Sequence, residues 1–232
     1  MKRNLVGVDM HCHLLPDVDD GSKSLEESVE IIKKMKENGI HKIFLTPHMY
    51  SPNVRSKLEL FDERFKMLKK EIDDDIVLEL GSEVHIIPEV SKKNIIALGN
   101  SGYLLAEFPT NMFPVAAEKE LPELQKRGYR IILAHIERYD YLFRRRRSGL
   151  FKVILEPTDF LRKLRNMGIL FQVNWNTIVA PSTKEKKILE MLERYYWMDF
   201  TGSDKHSFKD NRKLINTVNQ KYRTFMNEEL AI

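Results

Sequence analysis

The chain has 232 residues, 42% of them hydrophobic and 31% charged, the balance of a globular protein with enough apolar material for a full core. Its 38 Lys+Arg against 34 Asp+Glu leave a formal charge of +4, which makes no net-charge demand for nucleic acid. Apolar runs such as Arg130-Ile-Ile-Leu-Ala-His135 are far shorter than the roughly 20 residues of a spanning helix, so no membrane insertion is expected. The start, Met1-Lys2-Arg3-Asn4-Leu5-Val6-Gly7-Val8, carries the charges of a signal peptide, but Asp9 and His11 interrupt the apolar run too early for an h-region, and a cytoplasmic protein is expected. The single cysteine, Cys12, excludes an internal disulfide and agrees with a reducing compartment. Six positions later stands Val18, not the arginine that a cysteine-dependent phosphatase loop needs. Nucleotide-binding glycine loops are absent too. With no repeat and no Gly/Pro-rich linker, residues 1–232 read as a single domain.

The first predicted strand, Leu5 to Val8, is followed by His11 and His13. Ser24-Leu-Glu-Glu27 reads as a capping box, Leu25, Val29, Ile32 and Met35 as the apolar stripe behind it, and Gly39 as the stop. Strand Lys42 to Leu45 leads to His48, and Ser56 with Glu59 predicts another capped helix. Strand Ile76 to Leu80 leads to Glu83, and strand Tyr103 to Ala106 to Glu107. Leu121 and Leu124 mark a helix ending at Gly128; strand Arg130 to Leu133 then leads to His135 and Arg138. Leu161, Leu164 and Met167 make a further stripe ending at Gly168, before strand Leu170 to Val173. Ser182 with Glu185 caps the last predicted helix, and strand Trp197 to Thr201 leads to Asp204 and His206.

Strand and helix alternate, which implies a parallel sheet, and seven such units suit a closed or nearly closed α/β barrel better than an open sheet. In such a barrel every strand C-terminus opens on one face, so the residues that follow the strands converge there. Of the 7 histidines, only His41 and His85 fall elsewhere: His41 reads as a helix C-terminal partner and His85 as rim. Mixed nitrogen and carboxylate ligands suit zinc, manganese or iron rather than magnesium or calcium. The candidates outnumber the about three protein ligands of a single catalytic zinc, so several ions are expected, the usual apparatus of phosphoester hydrolysis.

The segments Asp9-Met-His-Cys-His13, Asp17-Val-Asp-Asp-Gly21, Thr46-Pro-His48, Gly81-Ser-Glu83, Ala106-Glu-Phe108, Ala134-His-Ile-Glu-Arg-Tyr-Asp140, Gln172-Val-Asn174 and Ser203-Asp-Lys-His206 run the length of the chain. In them it resembles the polymerase and histidinol phosphatase (PHP) superfamily and, within it, the bacterial manganese-dependent protein-tyrosine phosphatases of the CpsB/CapC group. The resemblance implies a distorted seven-stranded barrel holding three metals, usually manganese. By carry-over, His11, His13, Glu83 and Asp204 hold one ion; Glu83, Glu107 and His135 a second; Asp20, His48 and His206 the third. Arg138 and Glu107 would be catalytic. The implied partner is the phosphorylated, tyrosine-rich C-terminal tail of a bacterial kinase that controls exopolysaccharide assembly. Asn174-Trp175-Asn176 and the run Arg144, Arg145, Arg146, Arg147 depart from the group's pattern.

Each residue also has a plainer reading. On an extended chain His11 and His13 point one way and Cys12 the other, against the wall. Asp20 competes with Asp17 and Asp19, any of which stabilises a loop by Asx turns; the resemblance favours Asp20. Asp9 is expected to orient a ligand histidine. Arg138 is either a surface ion-pair partner or a fork for phosphate oxygens. Arg144 to Arg147 are either a solvated face or a receptor, on the rim of the metal-bearing face, for a multiply phosphorylated peptide. Phe65, Leu68 and Tyr195-Tyr196-Trp197 read as core. Two rival functions remain at this stage: another PHP-type phosphoesterase, acting on histidinol phosphate or nucleic-acid ends, and a non-catalytic basic protein gripping nucleic acid through the arginine run.

Overall fold

The computed structural model describes residues 7–148 and 152–207. Its strands are β1 (Gly7–Cys12), β2 (Ile40–Leu45), β3 (His48–Met49), β4 (Val77–Leu80), β5 (Glu83–His85), β6 (Tyr103–Glu107), β7 (Arg130–Leu133), β8 (Phe143–Ser148), β9 (Lys152–Pro157), β10 (Leu170–Asn174) and β11 (Phe200–Gly202). The helices are α1 (Leu25–Glu37), α2 (Phe61–Glu71), α3 (Ala117–Lys126), α4 (Asp159–Asn166), α5 (Trp175–Val179) and α6 (Thr183–Tyr195). Each expected strand has a counterpart, though Leu5 and Val6 of the first lie outside the described residues, and the last is three residues, Phe200–Gly202, rather than Trp197 to Thr201. None of the described helices is long and apolar enough to cross a membrane.

Pairing is parallel throughout the main assembly. One sheet runs β1-β2-β4 and a six-stranded sheet runs β11-β10-β7-β6-β5-β3. The chain passes from β2 to β3 through Thr46 and Pro47, and from β4 to β5 through Gly81 and Ser82. Proline has no N–H to give a ladder and a Cβ on Gly81 would meet Leu98 at 2.7 Å, but the Gly81 and Glu83 amides donate to the Leu45 and Pro47 carbonyls at 2.8 and 3.0 Å, so the two strands bend together and stay tied. At the far edge a bridge joins Cys12 to Lys205, and the amides of His13 and Asp204 donate to the carbonyls of Lys205 and His11 at 2.8 and 2.7 Å. The parallel sheet is therefore curled, with β1 brought beside β11. Inside lie Met10, Phe44, Leu105, Ile132 and Phe200, in one cluster; the larger core between sheet and helices includes Ile32, Met35, Leu121, Leu124, Leu161 and Leu164.

The helix signals divide. Gly39, Gly128 and Gly168 all take positive φ, at 90°, 93° and 77°, the left-handed turn that ends a helix at lowest cost with glycine. Ser182 and Glu185 make the full reciprocal box on α6. Ser24 accepts from the Glu27 amide, but the Glu27 carboxylate takes the Lys23 amide instead, at 2.8 Å. Ser56 caps nothing: the turn before α2 starts at Leu58, with no side-chain cap. The β8–β9 pair and α5 lie outside the expected elements. Arg144 to Arg147 form β8, an antiparallel partner of β9, because Val153, Ile154 and Leu155 opposite them are β-formers.

Candidate metal centre

The ends of β1, β6, β7 and β11 and the starts of β3 and β5 meet at one buried cluster. His11 lies inside β1, not beyond it. Asp9, two residues earlier, takes the amide and hydroxyl of Ser203 at 2.9 and 2.5 Å and the His11 amide at 3.3 Å. Burial raises its pKa to about 6. Asp9 thus ties β1 to the segment after β11 through backbone and serine, and does not orient an imidazole as expected.

Other side chains hold the rings. Gln172 Oε1 faces His11 Nδ1 at 3.2 Å and accepts the His135 amide at 2.8 Å. Asp19 Oδ2 faces His13 Nδ1 at 2.8 Å and accepts the His48 amide at 3.0 Å. Tyr139 Oη lies 3.2 Å from His135 Nδ1. With each Nδ1 engaged, Nε2 is the atom turned inward. The Nε2 atoms of His11, His13 and His135 approach the Glu83 carboxylate at 3.5, 3.3 and 2.7 Å. His48 turns Nδ1 toward Glu83 Oε2 at 3.0 Å and Nε2 toward Asp20 at 3.6 Å. His206 Nε2 reaches the same Asp20 oxygen at 3.6 Å, and Asp204 Oδ1 lies 3.4 Å from His13 Nε2.

Among the described residues, three sets of donor atoms are close enough to share an ion: His13, Asp20, His48 and His206; His11, His13 and Glu83; and His48, Glu83 and Glu107. His48 thus stands beside Glu83 and Glu107 where the resemblance put His135, and His13 joins the group around Asp20. The donor set fits a metal on a further observation. Glu83 Oε2 and His48 Nδ1 face each other at 3.0 Å, yet neither makes a hydrogen bond, although both are buried. Buried polar atoms are almost always bonded, and lone pairs that converge without hydrogen bonds are the arrangement a cation completes. Burial works against charge on Glu83, but His11 and His135 hold its carboxyl well below the usual range. Asp19, pushed up by burial, is brought down to about 2 by His13.

Outside the cluster the expectations fare variously. Asp17 points away, to Lys57 at 2.7 Å. His85 is buried, not rim, with Nδ1 3.0 Å from Glu107 Oε2. Cys12 is buried with Sγ donating to the Phe44 carbonyl at 3.4 Å, and burial pushes its thiol pKa well up, the opposite of a nucleophile's need. Arg138 pairs with Asp204, its side chain 47% exposed, so it combines an ion pair with an open face toward solvent. The four arginines of β8 are exposed; Arg144 pairs with Asp159 and Arg146 with Glu156, each at 3.9 Å, outside the histidine cluster. Sequence reasoning gave Asp19 only the part of a rival to Asp20 or a loop stabiliser and assigned no role to Gln172 or Tyr139, although all three stand in the matching segments.

A curled parallel sheet with histidines and carboxylates gathered at its strand ends defines an α/β protein of the metal-centre class. Within that class the chain belongs to the CpsB/CapC capsular polysaccharide synthesis family, whose pattern matches residues 7–231. It is 30% identical over 213 residues to the tyrosine-protein phosphatase YwqE of Bacillus subtilis, covering 87% of this chain and 78% of that one. The tyrosine-protein phosphatase CpsB of Streptococcus pneumoniae is 28% identical over 198 residues, covering 82% and 76%. A crystal structure from work on YwqE and CpsB, described as metal-dependent tyrosine phosphatases, superposes with a TM-score of 0.72 at 26% identity, over 93% of this chain and 87% of the other. The phosphotriesterase homology protein of Escherichia coli shares the fold alone, with a TM-score of 0.56 at 10% identity over 98% and 95% of the two chains.

Proposed function

We propose that this chain is a metal-dependent protein-tyrosine phosphatase of the cytoplasm, acting as a single domain on the phosphorylated C-terminal tail of a bacterial tyrosine kinase that governs capsular or exopolysaccharide synthesis. The observation that carries the reading is the buried pair Glu83 Oε2 and His48 Nδ1, 3.0 Å apart and without a hydrogen bond, at the centre of the histidine cluster. The ligands we assign are His11, His13, Asp20, His48, Glu83, Glu107, His135, Asp204 and His206, for three manganese ions, with zinc or iron as substitutes; this is the ion count that a PHP-type seven-stranded barrel, with β2–β3 and β4–β5 read as two bent strands, would carry. Such ions supply a water of lowered pKa and neutralise phosphate charge.

The chain's own residues do the rest. Glu83, Gln172, Asp19 and Tyr139 fix the imidazoles so that no reorganisation is needed on substrate binding. Arg138 directs its half-exposed guanidinium at the phosphate oxygens. Glu107, shared between cluster and the cavity beside it, is ligand and substrate contact at once. Phenolate, of pKa about 10, leaves without a strong general acid, and no cysteine nucleophile is required.

Metal analysis of the purified protein, alongside hydrolysis of a tyrosine phosphopeptide and of histidinol phosphate, tests the reading. Expected are bound manganese, activity lost with chelation and restored by manganese, and preference for the phosphopeptide. Full hydrolysis after verified metal removal overturns it. Arg138→Ala should lower turnover and weaken vanadate inhibition with metal content unchanged.

A further inference from the structure

Next to the cluster lies a cavity of about 570 Å³, a size typical of small-molecule sites. Its inner wall is His85 and Glu107, and Glu107 Oε2 lies 3.0 Å from His85 Nδ1 and 3.6 Å from His48 Nδ1. The cavity therefore opens from the edge of the donor set itself. Its remaining wall changes character. Ile86, Ile87, Phe108, Pro109, Met112 and Phe113 make it apolar, with Asn53 and Asn111 as polar relief. Met112, Phe113 and Val115 are 61%, 45% and 76% exposed, half of the large exposed hydrophobics among the described residues, and all three line this cavity. Exposed apolar side chains gathered in one place mark a binding surface rather than a packing remainder.

The wall is also held in place. The Phe113 ring lies 4.6 Å from the Phe160 ring and edge-on to Tyr141 at 6.0 Å, and the Tyr141 hydroxyl donates to the Pro109 carbonyl at 2.9 Å. Phe108, buried behind it, donates its amide to the Tyr139 hydroxyl oxygen at 3.1 Å, and that hydroxyl lies 3.2 Å from His135 Nδ1, so Tyr139 links the cavity wall to His135.

We infer that this cavity is the subsite for the aromatic ring of the leaving group, with Phe113 and Met112 as its specificity-determining wall. The inference rests on the phosphatase reading. A dianion drawn to the cluster carries its organic part along, and the apolar wall beside Glu107 takes a flat neutral group by burial and ring stacking. Met112 and Val115, farther out, would cover the ring's outer edge and the residue next to it.

Competitive inhibition of the manganese-loaded protein by two phosphonates isolates the ring from the phosphate. Benzylphosphonate is the isostere of phenyl phosphate, and ethylphosphonate keeps the same charged head without the ring. The expected inhibition constant for benzylphosphonate is lower by about tenfold or more, the scale set by burying one ring. Phe113→Ala and, separately, Met112→Ser should erode that ratio while leaving the ethylphosphonate constant and metal content unchanged; Met112 is exposed enough that its variant folds even if loss of Phe113 disturbs Phe160. Equal constants in the unaltered protein overturn the inference and leave the phosphatase reading standing. A tenfold ratio untouched by either substitution overturns it as well, since the ring then binds elsewhere. A metal-loaded protein that hydrolyses no aryl phosphate overturns the reading beneath it.

Discussion

Two of the buried groups of charge that sit at strand termini among the described residues are finished differently. Asp199, just before β11, takes Arg165 at 2.6 and 3.0 Å through a two-pronged contact and the Phe171 amide at 2.9 Å. Both carboxylate oxygens accept hydrogen bonds, and the pair locks α4 to the edge of β10 and β11. Glu83 is as deeply buried, yet four imidazoles crowd it, and Oε2 stays without a hydrogen bond. A buried charge left incomplete costs several kcal/mol, so it persists where something else completes it. Completion within the chain marks architecture, and convergence without completion marks a site.

The comparison breaks most easily through one carboxylate from each group. Glu83→Gln keeps the volume and removes the charge on which three sides of the cluster converge. Metal binding and activity should then fall by well over the about 10- to 100-fold that an outer partner costs, with the fold retained by circular dichroism. Asp199→Ala should do the reverse. It strands Arg165 and the Phe171 amide, so stability drops by about 2–3 kcal/mol and Tm by roughly 5–10 °C, while metal content per folded chain is unchanged. If Glu83→Gln holds metal normally, or Asp199→Ala loses it, the distinction between the two groups is wrong.

A smaller effect sharpens it. Gln172 belongs to both kinds of bonding: its Oε1 faces His11 Nδ1 and takes the His135 amide, and its Nε2 donates to Asn174 Oδ1 at 2.8 Å. Gln172→Leu should weaken metal affinity about 10- to 100-fold, measured by competition with a chelator, with a loss of stability below that of Asp199→Ala. A stability loss with no change in affinity would class Gln172 with Asp199.

The sequence disclosed the centre better than its surroundings, for a physical reason. Ligand types at strand ends are bound to the alternation of strand and helix, and alternation is periodic, so His11, Glu83, His135 and Asp204 could be placed together from spacing. What orients them is not periodic. Asp17, Asp19 and Asp20 share one loop, and only its turns decide that Asp17 meets Lys57, Asp19 meets His13 and Asp20 faces His48 and His206. The hairpin escaped notice because a run of four arginines reads as a solvated loop until its partner strand is known. The division of ligands taken from the resemblance put His135 beside Glu107; ring directions around Glu83, which spacing does not encode, bring His48 there.

The β8–β9 hairpin adds a third kind of charge, met mainly by water. Its register sets Arg144 opposite Glu156 and Arg146 opposite Ile154, while Arg145 and Arg147 face Leu155 and Val153. Cross-strand partners share a face, so Arg144 and Arg146 lie on the side where Asp159 and Glu156 pair with them, and Arg145 and Arg147 lie on the other. Glu156 is itself gripped by Arg194 at 3.0 Å, which anchors β9 to α6. If the run receives a multiply phosphorylated tail, each phosphate brings about −1.5 to −2 charges, and the side without carboxylates is the one that meets them. Arg145→Ser with Arg147→Ser should raise KM for such a tail by about threefold and flatten its salt dependence, leaving turnover of a small aryl phosphate unchanged. Arg144→Ser with Arg146→Ser should do less, because those guanidiniums already share their charge with Asp159 and Glu156. Equal effects of the two pairs would show that net charge, not the face, attracts the tail; no effect of either would leave the hairpin a solvated element with no part in docking.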